Sequence, residues 1–164
     1  MRQPEGDFVF LDTLDEGSHA GRLCEARLDW LRARLEEAAG RPVYLFMHHP
    51  PFAVGIPSLD CIALAEPERL AAILAPHRNV RHLFYGHVHR PVCGSWRGIP
   101  ASTLYGLNHQ VAFDLATAGE VPHTHEPPSY GVVLIAPDQV VVHFHDFLDR
   151  TRLVQRGTDW VYAG

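Results

Sequence analysis

A chain of 164 residues with 46% hydrophobic and 20% charged residues can bury one ordinary domain core, and no apolar run approaches the roughly 18 residues a membrane span needs. The formal net charge of -5 argues against a basic nucleic-acid surface, although divalent ions held by an acidic protein still attract phosphate esters. Three scattered cysteines (Cys24, Cys61, Cys93) without Cys-x-x-Cys spacing point to apolar fillers in a reducing, cytoplasmic compartment, and residues 1–7 lack a signal peptide's apolar segment.

Residues 7–11 read as a short buried strand that needs neighbours the few preceding residues do not offer. Residues 21–39 form the clearest helix. Leu28, Leu31, Leu35 and Ala38 recur on one face, Ser18 is the N-cap candidate, and Gly40 with Pro42 behind it is the stop. Residues 42–47 are a continuous apolar run, as in a strand buried on both faces, and Pro50-Pro51 forbids its continuation. A Gly- and Pro-rich loop follows to Ala65. Helix 66–74 then opens on Pro67, and strand 80–85 ends at Gly86. Beyond Arg90, residues 91–96, 99–104, 110–115, 130–135 and 139–147 read as strands, and 116–129 as a surface loop. The expected class is α/β: a single domain over residues 1–164, β-α-β-α-β through residue 90 and mostly β over 91–164.

Twelve histidines are the compositional outlier. Two runs concentrate them, Met47-His48-His49-Pro50-Pro51 and Gly86-His87-Val88-His89-Arg90, each just past a strand's C-terminal end, where open α/β sheets place their ligands. Neutral imidazole suits zinc, iron, manganese or cobalt. Gly86 lets the chain turn, and in an extended turn His87 and His89 diverge, serving two metals or gripping one from two directions. Any one of these residues could instead be a polar strand cap; pairing of the two strands would bring His48 to the others.

The pair His-x-Pro-Pro and Gly-His-x-His, each after a strand, resembles the calcineurin-like metallophosphoesterase superfamily, in particular its cyclic-nucleotide and glycerophosphodiester phosphodiesterase branch. The likeness runs from about Phe8 to Leu148 and takes in Leu28-Asp29-Trp30-Leu31 and Glu126-Pro127-Pro128-Ser129-Tyr130. It implies the C-terminal half of a two-sheet sandwich with flanking helices. It implies that His48 and His87 bind one metal and His89 the other, with His109 near the substrate phosphate and His49 a weaker substrate-side candidate. The implied cofactors are two divalent ions (Mn, Fe, Zn or Co), roughly 3.5–4 Å apart, whose bridging hydroxide attacks a phosphodiester in line.

The family's Asp-x-His, Gly-Asp and Gly-Asn-His elements are missing; Gly6-Asp7 matches only superficially, and Asn108-His109 lies after the Gly-His-x-His run without an acidic follower. Two divalent ions without a bridging carboxylate are under-neutralised, so the lone chain is expected to be inactive unless a complementary N-terminal segment supplies the acids. The alternatives are a non-catalytic remnant or interaction module of the same fold, and a mononuclear histidine-metal hydrolase. Exposed sheet edges favour self-association. His143 and His145 share one strand face, expected to be solvent-facing, and His123 and His125 lie in the Pro-rich loop beside Glu126. His19, His77 and His82 are expected at the surface, and Arg81 and Arg90 either contact phosphate or are solvated. Gly-x-Ser-x-Gly and zinc-finger spacings are absent.

Overall fold

Alternating apolar runs and amphipathic helices generate a parallel sheet, because a strand–helix–strand unit returns its second strand beside the first. The computed structural model describes residues 1–148 and, beyond them, the backbone of two strands at Leu153–Arg156 and Asp159–Tyr162; the rest of the β-rich part expected up to residue 164 lies outside the described residues. Strand β1 (Arg2–Gln3) pairs antiparallel with β2 (Gly6–Leu11), and helix α1 (Glu25–Ala38) leads to β3 (Val43–Met47). A short α2 (Pro57–Asp60) and then α3 (Pro67–Leu74) lead to β4 (Val80–Tyr85). The hairpin β5 (Val92–Trp96) and β6 (Ile99–Thr103) completes a six-stranded sheet of order β1-β2-β3-β4-β6-β5, in which β2, β3, β4 and β6 run parallel.

Helix α1 buries Leu28, Leu31, Leu35 and Ala38, and α3 buries Leu70, Ala71, Ile73 and Leu74, against the sheet face formed by Val9, Leu11, Val43, Leu45, Leu83 and Ala101. Each fully buried leucine contributes about 1.5–3 kcal/mol. Arg69 of α3 is ion-paired with Glu25 of α1, tying the two helices together. Among the described residues, no helix is long and apolar enough to cross a membrane.

The opposite face carries an aromatic row. Phe10 stacks on Phe46 at 4.7 Å and Phe46 on Phe84 at 4.8 Å, because parallel register places these residues side by side. A hairpin of β9 (Ser129–Ile135) and β10 (Val140–Asp146) faces part of that row across a cavity lined by Phe46, Phe84, Val133, Val142 and Phe144. Phe10 remains 55% exposed, and Val132, Leu134 and Val141 of the hairpin are exposed as well. The result is the expected mixed α/β fold.

Local departures from the sequence reading have identifiable causes. Helix α1 starts at Glu25 rather than at residue 21, with Cys24 and not Ser18 at the N-cap. Gly21 is drawn into a parallel bridge with Leu64 and exchanges backbone bonds with Ala63 and Ala65, while the Ser18 hydroxyl accepts the Ala20 N–H. The strand expected over 110–115 shrinks to β7 (Gln110–Val111), paired with β8 (His123–Thr124) inside the expected loop. The Asp114 carboxylate accepts the N–H groups of Ala116 and Thr117, a turn that ends the strand.

Candidate metal centre

Strands β3 and β4 pair in parallel up to Met47 opposite Tyr85, so both chains leave the sheet at the same level. The Gly86 N–H donates to the carbonyls of Met47 (3.2 Å) and His48 (2.9 Å), holding the two strand ends together. His48 and His87 therefore meet, with rings edge-to-face at 5.2 Å and His87 Nδ1 3.3 Å from His48 Nε2. His87 Nε2 is buried and has no partner. Two imidazole nitrogens 3.3 Å apart, on rings one of which also carries a buried, unpaired nitrogen, make a donor set that fits a divalent metal.

The turn differs from the expected extended form. Val88 is fully buried, its N–H returns to the Gly86 carbonyl at 2.7 Å, and His87 sits between them at φ 68°. This is the strained, positive-φ γ-turn. His89 is also left-handed, at φ 51°. The bend therefore resides in the two histidines, not in Gly86. Such conformations cost about 1–3 kcal/mol each in non-glycine residues and concentrate at functional sites.

Burial, and then the neighbouring imidazoles, push the His87 pKa down to about 4, so its ring is neutral and keeps a lone pair near neutrality. His48, although exposed to solvent, is also lowered by partial desolvation, with the proximity of His89 adding to the effect. His49 is lowered by burial first and by His48 next.

The ligand atoms of His48, His49 and His87 all lie within 4.8 Å of one another. His49, however, is already saturated. Its Nε2 faces the His19 carbonyl at 3.1 Å and must carry the hydrogen, while Nδ1 meets the Thr13 hydroxyl at 2.8 Å. Gly21 lies against this ring so closely that a Cβ there would fall 2.4 Å from it. His49 thus braces the cluster from behind.

His89 stands outside that close group. Its Nδ1 donates to the His109 carbonyl at 2.7 Å, which fixes the tautomer and leaves Nε2 with its lone pair. The His109 ring lies 4.5 Å from that of His89 and 4.3 Å from that of His123. The structure therefore brings His48, His49 and His87 together and sets His89 and His109 beside them as a second pair.

The other expectations separate. Asp7 pairs with Arg2 at 3.1 Å and lies at the opposite end of β2, about 13 Å along the strand from Leu11. Arg90 donates to the Val111 carbonyl (2.8 Å) and to the Glu126 carboxylate (3.2 Å), and Arg81 to the Pro137 carbonyl (2.8 Å), so both are engaged in tying loops. His82, expected at the surface, is 6% exposed, stacks on Phe84 at 4.3 Å and meets the Ser102 hydroxyl at 2.9 Å. Among the described residues, the group able to share one ion contains no carboxylate. Thr13 and Gly21, which pack against His49, and Gln110, which bonds to Gly106 behind His89, carry no local sequence signal.

No family model matches the chain. It is 49% identical to a probable cyclic nucleotide phosphodiesterase of Rhodopseudomonas palustris over 85% of its own length and 52% of the relative's. It is 39% identical to a probable glycerophosphodiester phosphodiesterase of Arcobacter nitrofigilis, over 74% of its length and 45% of that protein's. The chain spans about half the length of these curated relatives. A dimetal phosphatase from Danio rerio shares its fold with a TM-score of 0.55 at 23% identity, covering 76% of this chain and 36% of that one.

Proposed function

This chain is a homologue of the phosphodiesterase branch of the calcineurin-like metallophosphoesterases, and on that premise we propose that it supplies the histidine side of a two-metal phosphodiester-hydrolysing centre. His48 and His87 hold one divalent ion, and His89 the other. The observation that carries this reading is the meeting of His48 and His87 at two parallel strand ends, with the buried Nε2 of His87 unpartnered. Mn, Fe, Zn or Co all suit imidazole donors. When bound, such ions polarise a phosphoryl oxygen and acidify a water molecule. The chain's own part is to keep the His87 imidazole neutral by burial, to fix His89 through the His109 carbonyl, and to brace the cluster with His49. The His109 ring lines the substrate side. The substrate class is a phosphodiester, a cyclic nucleotide or a glycerophosphodiester, in keeping with the names of the relatives.

The histidine group lacks the carboxylates needed to neutralise two divalent ions, so residues 1–164 alone are expected to be inactive. A segment carrying Asp-x-His and Gly-Asn-His, seated against the uncovered Phe10 side of the sheet, would complete the site. In its absence the same apolar surface favours self-association. The missing carboxylates also favour a second reading, an interaction module that retains the fold without the chemistry. Calorimetric titration with Mn²⁺ and hydrolysis of bis(p-nitrophenyl) phosphate separate the two. The half-site reading expects Mn²⁺ binding that is lost in His87→Ala, and turnover only when the acidic segment is added. Turnover by the lone chain would refute the half-site, and absence of both binding and complementation would favour the non-catalytic remnant or module.

A further inference from the structure

We propose that Gln110 is a positioning residue for His89, acting through the Gly106 peptide. The proposal rests on the reading of His89 as a ligand, although the contacts themselves involve no metal. Gln110 is 1% exposed on β7, and its side-chain amide makes a closed pair with Gly106. Oε1 accepts the Gly106 N–H at 2.8 Å, and Nε2 donates to the Gly106 carbonyl at 2.9 Å. Nε2 also faces the Glu126 carbonyl at 3.4 Å.

Gly106 in turn forms the wall behind His89. A Cβ at this position would lie 2.8 Å from His89 Nδ1 and 2.8 Å from the His109 carbonyl oxygen. One α-carbon therefore abuts both partners of the bond that sets the His89 tautomer. Holding it requires a donor and an acceptor on the same planar group, which glutamine offers and glutamate or leucine does not. A second tie closes the same loop. Arg90, adjacent to His89, donates to the Val111 carbonyl and to Glu126 while its guanidinium lies over the rings of Tyr105 (5.9 Å) and Phe113 (5.3 Å). The clip of β7 and β8 thus holds His89 with Nδ1–H toward the carbonyl and Nε2 free.

Long-range ¹H–¹⁵N NMR of the ring nitrogens in the metal-free chain, above the imidazole titration range, tests this directly. Wild-type His89 is expected to show the Nδ1–H tautomer and His49 the opposite Nε2–H form, an internal control. In Gln110→Glu, which keeps the shape, and in Gln110→Ala, the His89 nitrogen shifts should converge toward a tautomer mixture while His49 is unchanged. Co²⁺ affinity should fall by about tenfold or more. An unchanged His89 pattern in both variants, whatever their thermal stability, would overturn the proposal and leave Gln110 a packing residue. If wild type bound no Co²⁺ while His89 still responded, positioning by Gln110 would stand and the ligand reading of His89 would fall.

Discussion

His87 trades stability for a lone pair, and replacing it should reveal both sides of that exchange. In the metal-free chain its left-handed backbone costs about 1–2 kcal/mol relative to glycine. Its buried, unpaired Nε2 costs a further 1–3 kcal/mol or so. Against these stand about 1–2 kcal/mol of lost ring burial, about 0.5–1 kcal/mol for the greater chain entropy of glycine, and about 0.5 kcal/mol for the long, exposed contact with His48. His87→Gly is therefore expected to stabilise the metal-free protein by about 1 kcal/mol, raising Tm by about 2–4 °C for a domain of this size. His87→Ala removes the orphaned nitrogen but keeps the strained φ, so the Gly–Ala difference isolates the backbone cost at about 1 kcal/mol. Thermal unfolding followed by circular dichroism in the presence of a chelator reads the stability, and calorimetry with Mn²⁺ reads the loss of binding. A metal-free His87→Gly protein that melts below wild type would refute the reasoning, since His87 would then be a packing residue whose burial outweighs its strain.

Other outcomes follow from the same geometry. The folded pKa of His87, about 4, lies below its unfolded value, so the unfolded chain takes up the proton first as pH falls. Stability should decline from about pH 6.5 toward about pH 4 by on the order of 2–3 kcal/mol, with the lowered His48, His49 and His82 acting in the same direction. Urea unfolding at a series of pH values measures this, and a flat profile would contradict it. Gly21→Ala drives a methyl into the His49 ring and should cost about 1–3 kcal/mol as well as weaken Mn²⁺ binding; retention of both would show that the ring is free to move. Val132→Lys combined with Leu134→Lys, on the exposed side of the hairpin, should reduce self-association in sedimentation velocity without lowering Tm.

Strand and helix placement was largely legible in the chain because it rests on local periodicity: the apolar runs ending at Met47 and Tyr85, and the 28-31-35-38 stripe of α1, each bury a face that only one secondary structure presents. The same runs, with His-x-Pro-Pro and Gly-His-x-His behind them, also pointed to the phosphodiesterase relatives. What the sequence by itself determined was therefore which imidazoles leave the sheet and at which end. Only the tertiary structure decided what each ring nitrogen is free to do. The partners of His49 are Thr13 and His19, 36 and 30 residues away, and the acceptor for His89 lies 20 residues downstream. No local pattern encodes such bonds. The left-handed turn at His87 likewise follows from burial of Val88 in a core assembled from distant strands. An imidazole nitrogen is a ligand, a donor or a brace according to what faces it, and that is settled by the packing of segments remote in sequence.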